Sequence, residues 1–259
     1  MLKYAVATSG SCGNCYVFYD GADSIVVDYG ISTRRFTAFL DKSGIPLESV
    51  RAVFLTHLHP DHASNSLRVL QKKIPVLICM NSCAAKREHS AFVSLGLDVG
   101  SVRLFAVREK ICVGGFEVIA TDASHDSEGC VSYHIKSGDN RICIITDTGY
   151  FTDEMMEFAN ASDLLMLEAD YDDAMLDEND EYSYALKMRI RSDYGHLSND
   201  QAKRFLLKLN KNENRGVFLI HLSENNNTVE RAQRHVREAL PLNKFIRAIA
   251  HGGSLSGEL

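Results

Sequence analysis

The sequence predicts an α/β protein of four layers, α/β/β/α. Three observations carry this. Short β-branched runs dominate the first half, strand-like and helical segments alternate in the second, and neither half holds a run of about 18 apolar residues. Strands that cluster with helices between them, in both halves, are best buried as two sheets face to face with helices outside.

Residues 15–19, 24–28, 51–56 and 76–78 read as strands, with Asp20-Gly21-Ala22-Asp23 as a hairpin turn between the first two. Residues 32–42 and 61–71 space their apolar side chains as helices. Residues 112–120 read as a hairpin around Gly114-Gly115, and 130–136 pairs with 141–146 across Ser137-Gly138-Asp139-Asn140. The order then runs helix 152–159, strand 163–167, an irregular charged stretch to Asp193, helix 198–209, strand 216–221, helix 228–240 and strand 244–249.

The 259 residues are 45% hydrophobic and 24% charged, ordinary for a globular protein that folds without staples. A net charge of −6 argues against a protein that coats nucleic acid electrostatically. An enzyme that grips a short backbone segment stays open, since bound divalent ions reverse the local field. The apolar run in residues 1–8 is too short for a signal peptide, and no membrane span is expected. Seven cysteines, an odd number with several in apolar runs, indicate a reducing cytoplasm. Cys12-x-x-Cys15 and Cys79-x-x-x-Cys83 could build a zinc tetrathiolate, but free thiols are the simpler reading, because no further zinc motif surrounds them.

The chemistry concentrates in Thr56-His57-Leu58-His59-Pro60-Asp61-His62, directly after the apolar run Ala52-Val53-Phe54-Leu55. In an extended segment, residues i and i+2 point the same way, so His57 and His59 can share one ion. Asp61 and His62, expected to open the next helix, can turn toward a second. Imidazole and carboxylate suit Zn²⁺, Mn²⁺ or Fe. Further metal-capable residues stand just past later apolar runs: His125, Asp147 and His221.

With these residues in order, the chain resembles the metallo-β-lactamase fold superfamily along nearly its whole length. Within it the chain looks most like the WalJ (YycJ) family of cytoplasmic 5′–3′ exonucleases on DNA. The matching segments are Ser9-Gly10-Ser11-Cys12-Gly13-Asn14, Val27-Asp28-Tyr29-Gly30, His125-Asp126, Gly195-His196-Leu197-Ser198-Asn199 and His221-Leu222-Ser223-Glu224-Asn225-Asn226. The resemblance implies a four-layer metallo-β-lactamase sandwich, one domain over 1–259 with two ββα halves and no β-CASP insertion. It implies two divalent ions, Zn²⁺ or Mn²⁺ with Fe as an option. His57, His59 and His125 would hold one ion, and Asp61, His62 and His221 the other. Asp147 would bridge them, and Asp28 would orient the histidine loop.

Such a centre would hydrolyse a phosphodiester, with Asp61 also orienting the nucleophile. His196 is the expected proton donor to the leaving oxygen, with Glu168 raising its pKa, by analogy with a His–Glu pair in the related tRNA-processing nucleases. Ser223, Asn225 and Asn226 are candidate substrate contacts, and Ser9 to Asn14 could let a backbone approach a phosphate. Lys187, Arg189, Arg191, Lys203, Arg204 and Lys208 either hold phosphates or form a solvated face. The acidic run Asp170, Asp172, Asp173, Asp177, Glu178, Asp180 and Glu181 suits a loop that points away or one that limits where a duplex can dock. His89, His134, His235 and His251 read as structural or surface residues. The expected partner is nucleic acid, DNA before RNA. The alternative is an ester, thioester, lactone or cyclic-nucleotide hydrolase on the same centre, since fold does not set function.

Overall fold

The computed structural model describes residues 1–210, 215–237 and 245–259. Its two seven-stranded sheets face one another. The first holds β1 (Lys3–Thr8), β2 (Cys15–Tyr19), β3 (Ser24–Val27), β4 (Val50–Phe54), β5 (Leu77–Asn81) and β6 (Val102–Phe105) in that order. The second holds β7 (Lys110–Val113), β8 (Phe116–Asp122), β9 (Val131–Ser137), β10 (Asn140–Ile145), β11 (Leu164–Glu168), β12 (Gly216–Ile220) and β13 (Ile246–Ala248), also in order. Strand β14 (Leu255–Glu258) returns to pair with β1.

Each sheet changes character midway. Pairs β1/β2 and β2/β3 are antiparallel, whereas β3 to β6 run parallel. Likewise β7 to β10 are antiparallel and β10 to β13 parallel.

Period-two alternation assigns the faces. Tyr16, Phe18, Ile25, Val27 and Phe54 meet Val118, Tyr133, Ile144, Met166 and Phe218 between the sheets. The intervening Cys15, Val17, Val26 and Val53 point outward onto α1 (Thr33–Ser43) and α2 (Leu67–Lys73), through Phe36, Leu40, Leu67 and Leu70. Two short helices, α3 (Ser82–Arg87) and α4 (His89–Ser94), follow β5. On the other sheet, Cys143, Ile145, Leu165, Leu167, Val217 and Leu219 take Met155, Phe205 and Val236. Those three belong to α5 (Asp153–Ala161), α8 (Asn199–Lys208) and α9 (Val229–Arg237), with α6 (Asp173–Glu178) and α7 (Tyr184–Arg191) between α5 and α8. The result is the expected α/β/β/α arrangement.

Three expectations are corrected. The helix expected over 61–71 starts only at Leu67. Before it, His62 N–H and Ala63 N–H both donate to the His59 carbonyl, and Tyr29 N–H donates to the His62 carbonyl. The loop therefore spends its backbone groups on a turn and on tertiary contacts rather than on a helix. The stretch expected to be irregular up to Asp193 holds α6 and α7, capped by Asp172 and Ser183 side chains accepting from Met175 and Leu186 N–H. Strands β1, β6 and β14 and helices α3 and α4 were not anticipated. The expected helix 228–240 is seen as α9, and the expected strand 244–249 as β13; residues 238–240 and 244 lie outside the described ones.

Candidate active site

The chemistry-bearing residues stand past the ends of five strands in the middle of the fold. Asp28 follows β3, the histidine loop follows β4, Asp147 follows β10, Glu168 ends β11 and His221 follows β12. His125 enters from the loop after β8. Open sheets place ligands outside the carboxyl ends of parallel strands, and the parallel half of each sheet does so here. Asp28, Asp147 and His221 each take a left-handed φ, +59°, +51° and +57°. Non-glycine residues seldom adopt that conformation, and it collects at functional sites, where surrounding contacts hold it.

Donor atoms of His57, His59 and His125 gather within 4.8 Å of one another, as do those of Asp61, His62 and His221. Asp147 lies between the groups. Its Oδ2 is 3.2 Å from His62 Nε2, and its Oδ1 is 3.5 Å from His221 Nε2 and 3.9 Å from His125 Nε2. His57 Nε2 is buried with no hydrogen-bond partner among the described residues, and buried His221 Nε2 has only the Asp147 and Asp61 carboxylates near it, at 3.5 and 3.8 Å. Buried polar atoms rarely stay unpartnered, so their arrangement calls for an occupant.

Electrostatics give the same answer. Burial, with the neighbouring His62, pushes His57 well below its ordinary pKa, and burial lowers His125. Neutral imidazole is the form that ligates a metal. Against their own burial, Asp61 is held far below the carboxylate range by His62, and Asp147 by His221 and His62. Those same carboxylates raise His62 and His221 well above the histidine range despite burial. The cluster attracts positive charge, and its nitrogen and oxygen donors fit divalent ions.

Neighbours hold the imidazoles in place. His62 Nδ1 pairs with Asp28 Oδ2 at 2.8 Å, while Asp28 Oδ1 accepts from Thr56 N–H and its hydroxyl. His125 Nδ1 donates to the Gly195 carbonyl at 3.1 Å, turning Nε2 to the centre. The turn 9–14 braces the site from behind. Asn14 Nδ2 lies 2.9 Å from His62 Nε2, Asn14 N–H donates to the Asp61 carbonyl, and Ser9 Oγ accepts from His221 N–H. Ser9 and Asn14 are committed to the backbone and side chains of the cluster, and Ser11 alone of this turn lines the adjoining cavity. None of Cys12, Cys15, Cys79 and Cys83 joins a metal-capable group among the described residues, and all seven cysteines are free.

Beside the cluster, His196 Nδ1 is 2.8 Å from Glu168 Oε1 and 3.6 Å from Asp147 Oδ1. Glu168 Oε2 accepts from Thr148 N–H and Leu197 N–H. Although burial opposes it, the charge of Asp170, with the charge and hydrogen bond of Glu168, pushes His196 up to about 9. Burial in turn raises Asp170 to about 6. Asp170, first of the acidic run, does not belong to an outlying loop: the structure buries it, with its Oδ1 3.8 Å from His221 Nδ1. Its position two residues after Glu168, at the end of an apolar strand, was the overlooked signal.

A cavity of about 180 Å³ opens over His196 and His221, lined by Ser11, Asp170, Tyr182, Arg189, Ser223 and Asn226 among others. Ser223 and Asn226 therefore reach it, although buried Asn226 already accepts from Asn179 and donates its N–H to Ser223 Oγ. Asn225 does not line it; its amide donates to the hydroxyl of Tyr182 at 3.4 Å. His134 is buried on β9 and stacks on Phe158, and His235 pairs with Asp200, both away from the centre.

Comparison with known proteins completes the picture. The Beta-lactamase superfamily domain matches residues 23–222. The exodeoxyribonuclease WalJ of Streptococcus pneumoniae serotype 2 is 28% identical over 230 residues, covering 89% of this chain and 85% of its own. The exodeoxyribonuclease YycJ of Bacillus anthracis is 29% identical over 241 residues, 92% of this chain and 89% of its own. The metallo-β-lactamase fold protein YhfI of Bacillus subtilis superposes over the whole of both chains with a TM-score of 0.72 at 19% identity, a likeness of fold.

Proposed function

Because the chain belongs to the β-lactamase superfamily, we propose that it is a dinuclear-metal phosphodiesterase, a 5′–3′ exonuclease acting on DNA. The observation that carries this reading is the His196–Glu168 pair beside the histidine–aspartate cluster. An ester with a good leaving group needs no such proton donor, whereas a phosphodiester with an alkoxide leaving group does. The names of the relatives, both exodeoxyribonucleases, support the same substrate.

In this reading His57, His59 and His125 would hold one ion, Asp61, His62 and His221 would hold the other, and Asp147 would serve both. Two divalent ions, Zn²⁺ or Mn²⁺, would supply activated water and offset charge on the phosphate. Asp61 orients the attacking water through its carboxylate. His196, charged by its carboxylate neighbours, delivers a proton from Nε2 to the leaving oxygen while Nδ1 stays on Glu168. Ser223 and Asn226 contact the strand from the cavity wall. Residues 1–259 act as one catalytic unit with the site between its two halves. Seven free thiols support a cytoplasmic setting, and no described helix is long and apolar enough to cross a membrane.

The test incubates purified protein with Mn²⁺ or Zn²⁺ and 5′-phosphorylated DNA and RNA strands in parallel. DNA shortened from its 5′ end, with RNA cut more slowly, is expected. Intact strands of both kinds, with metal bound by elemental analysis, would sink the proposal.

A further inference from the structure

The cations that flank Gly195-His196 in sequence separate sharply in space. Arg191 pairs with Asp177 at 2.7 Å, and Lys187 Nζ donates to the Asp177 carbonyl. Lys208 sits over the Phe151 ring. Arg189 instead turns into the cavity above His196 and His221, and it is the one Lys or Arg among the described residues that line it. The last turn of α7 is held there tightly. His196 N–H donates to the Ile190 carbonyl, and a Cβ on Gly195 would lie 2.1 Å from the same oxygen.

Arg189 is anchored at one point. Its Nη2 meets Asp126 Oδ2 at 2.5 Å, while Asp126 Oδ1 lies 3.2 Å from His125 Nε2 and 3.7 Å from His59 Nε2. The pair thus hangs at the edge of the histidine cluster. A guanidinium has five N–H donors in a planar fork, and this one-point contact leaves most of them free for a tetrahedral anion. The side chain is also 56% exposed, so a strand can reach it. The cavity needs such a group. Asp170 lines it, and Asp61, Asp147 and Glu168 stand against His196 and His221 in its wall, so beyond the reach of the metal cluster a phosphate meets carboxylates and Arg189 is the cation placed to receive it.

We propose that Arg189 binds a phosphodiester of the nucleic-acid strand, held beside the site by Asp126 until the strand arrives. This rests on the phosphodiesterase reading for its ligand. Asp126 is a positioning residue: it aims the fork and competes with the phosphate for it.

The experiment measures equilibrium binding of a 3′-fluorescein-labelled, 5′-phosphorylated oligo-dT to Mn²⁺-loaded protein by anisotropy. All variants carry His196→Ala so that the strand survives. R189A is expected to raise Kd about tenfold or more, and R189K to recover only part of this, because an ammonium lacks the fork. D126N is expected to lower Kd a few-fold, and that gain is expected to vanish when D126N is combined with R189A. A merely structural Asp126 would not give a gain that depends on Arg189. Equal Kd values with and without R189A, or no binding by the Arg189-bearing protein, overturn the proposal. A strand that binds through Arg189 yet is never cut when His196 is restored overturns the phosphodiesterase reading and leaves the clamp standing.

Discussion

Replacing Gly30 with alanine tests how the histidine loop is held. Gly30 follows β3 and lies against Asp61; a Cβ there would sit 1.7 Å from the Asp61 carbonyl oxygen, 2.4 Å from its carbon and 2.7 Å from Asn14 N. Ordinary contact begins near 3.4 Å, so one backbone must yield by about 1.7 Å. Neither is free to do so. Asn14 N–H donates to Asp61 O at 2.7 Å, Gly30 N–H to Asn14 O at 2.9 Å, and Tyr29 N–H to His62 O at 2.7 Å. Losing one or two such bonds costs roughly 1–3 kcal/mol, and overpacking adds about 1–3 kcal/mol. Gly30→Ala is therefore expected to lose roughly 2–6 kcal/mol in urea unfolding followed by circular dichroism. It should also shed metal on dialysis that the parent retains, because Asp61 and His62 move. Gly21→Ala is the control. Gly21 has φ +103° with nothing within 4 Å of its would-be Cβ, so only about 1 kcal/mol of backbone strain is expected, with metal retained. A Gly30→Ala protein as stable as the parent, with its metal content intact, would refute the reasoning.

Asp28→Asn keeps the shape and tolerates the left-handed φ while removing the charge that faces His62. Metal affinity at the weaker site is expected to fall about 10–100-fold by calorimetric titration; an unchanged isotherm would show that Asp28 is only a turn residue. His196→Ala is expected to lower kcat on DNA by about 10²–10⁴ while elemental analysis still finds two metals per chain; loss of metal with the rate would place His196 among the ligands instead. His134 gives a pH dependence that is independent of the site. Burial pushes it down to about 3 from an ordinary 6.5, so the unfolded chain binds the proton first, and stability present above about 6.5 is lost as pH falls toward 3. Between pH 7 and 5 this amounts to about 2 kcal/mol. A His134→Phe protein should lose that much less in urea midpoints over the same interval, and equal losses in the two proteins would count against the assignment.

Local pattern was legible where one stretch of chain decides the outcome. His57 and His59 share a direction because an extended segment repeats every two residues, and the sheets followed from the same period. His125, Asp147 and His221 were findable because each stands just past an apolar run. The helix expected to begin at Asp61 failed for a reason that pattern omits. Apolar spacing at 61–71 is real, but the backbone of residues 59–63 is claimed by Tyr29 and by its own turn. Helices α6 and α7 were hidden because their acidic and basic residues mask a weak apolar face, and capping serines and aspartates look like loop residues.

The sequence alone thus determined the four layers, the cluster at His57 to His62 and its metal-binding chemistry. These depend on neighbours in the chain, which share a face at any periodicity. Only the tertiary structure decided that Asn14 meets His62, that buried Asp170 joins Glu168 in charging His196, and that Arg189 alone of its basic run enters the cavity. Those relations join residues from separate strands and loops, and they arise from chain closure, burial and the low dielectric around paired carboxylates. No spacing along the chain records them.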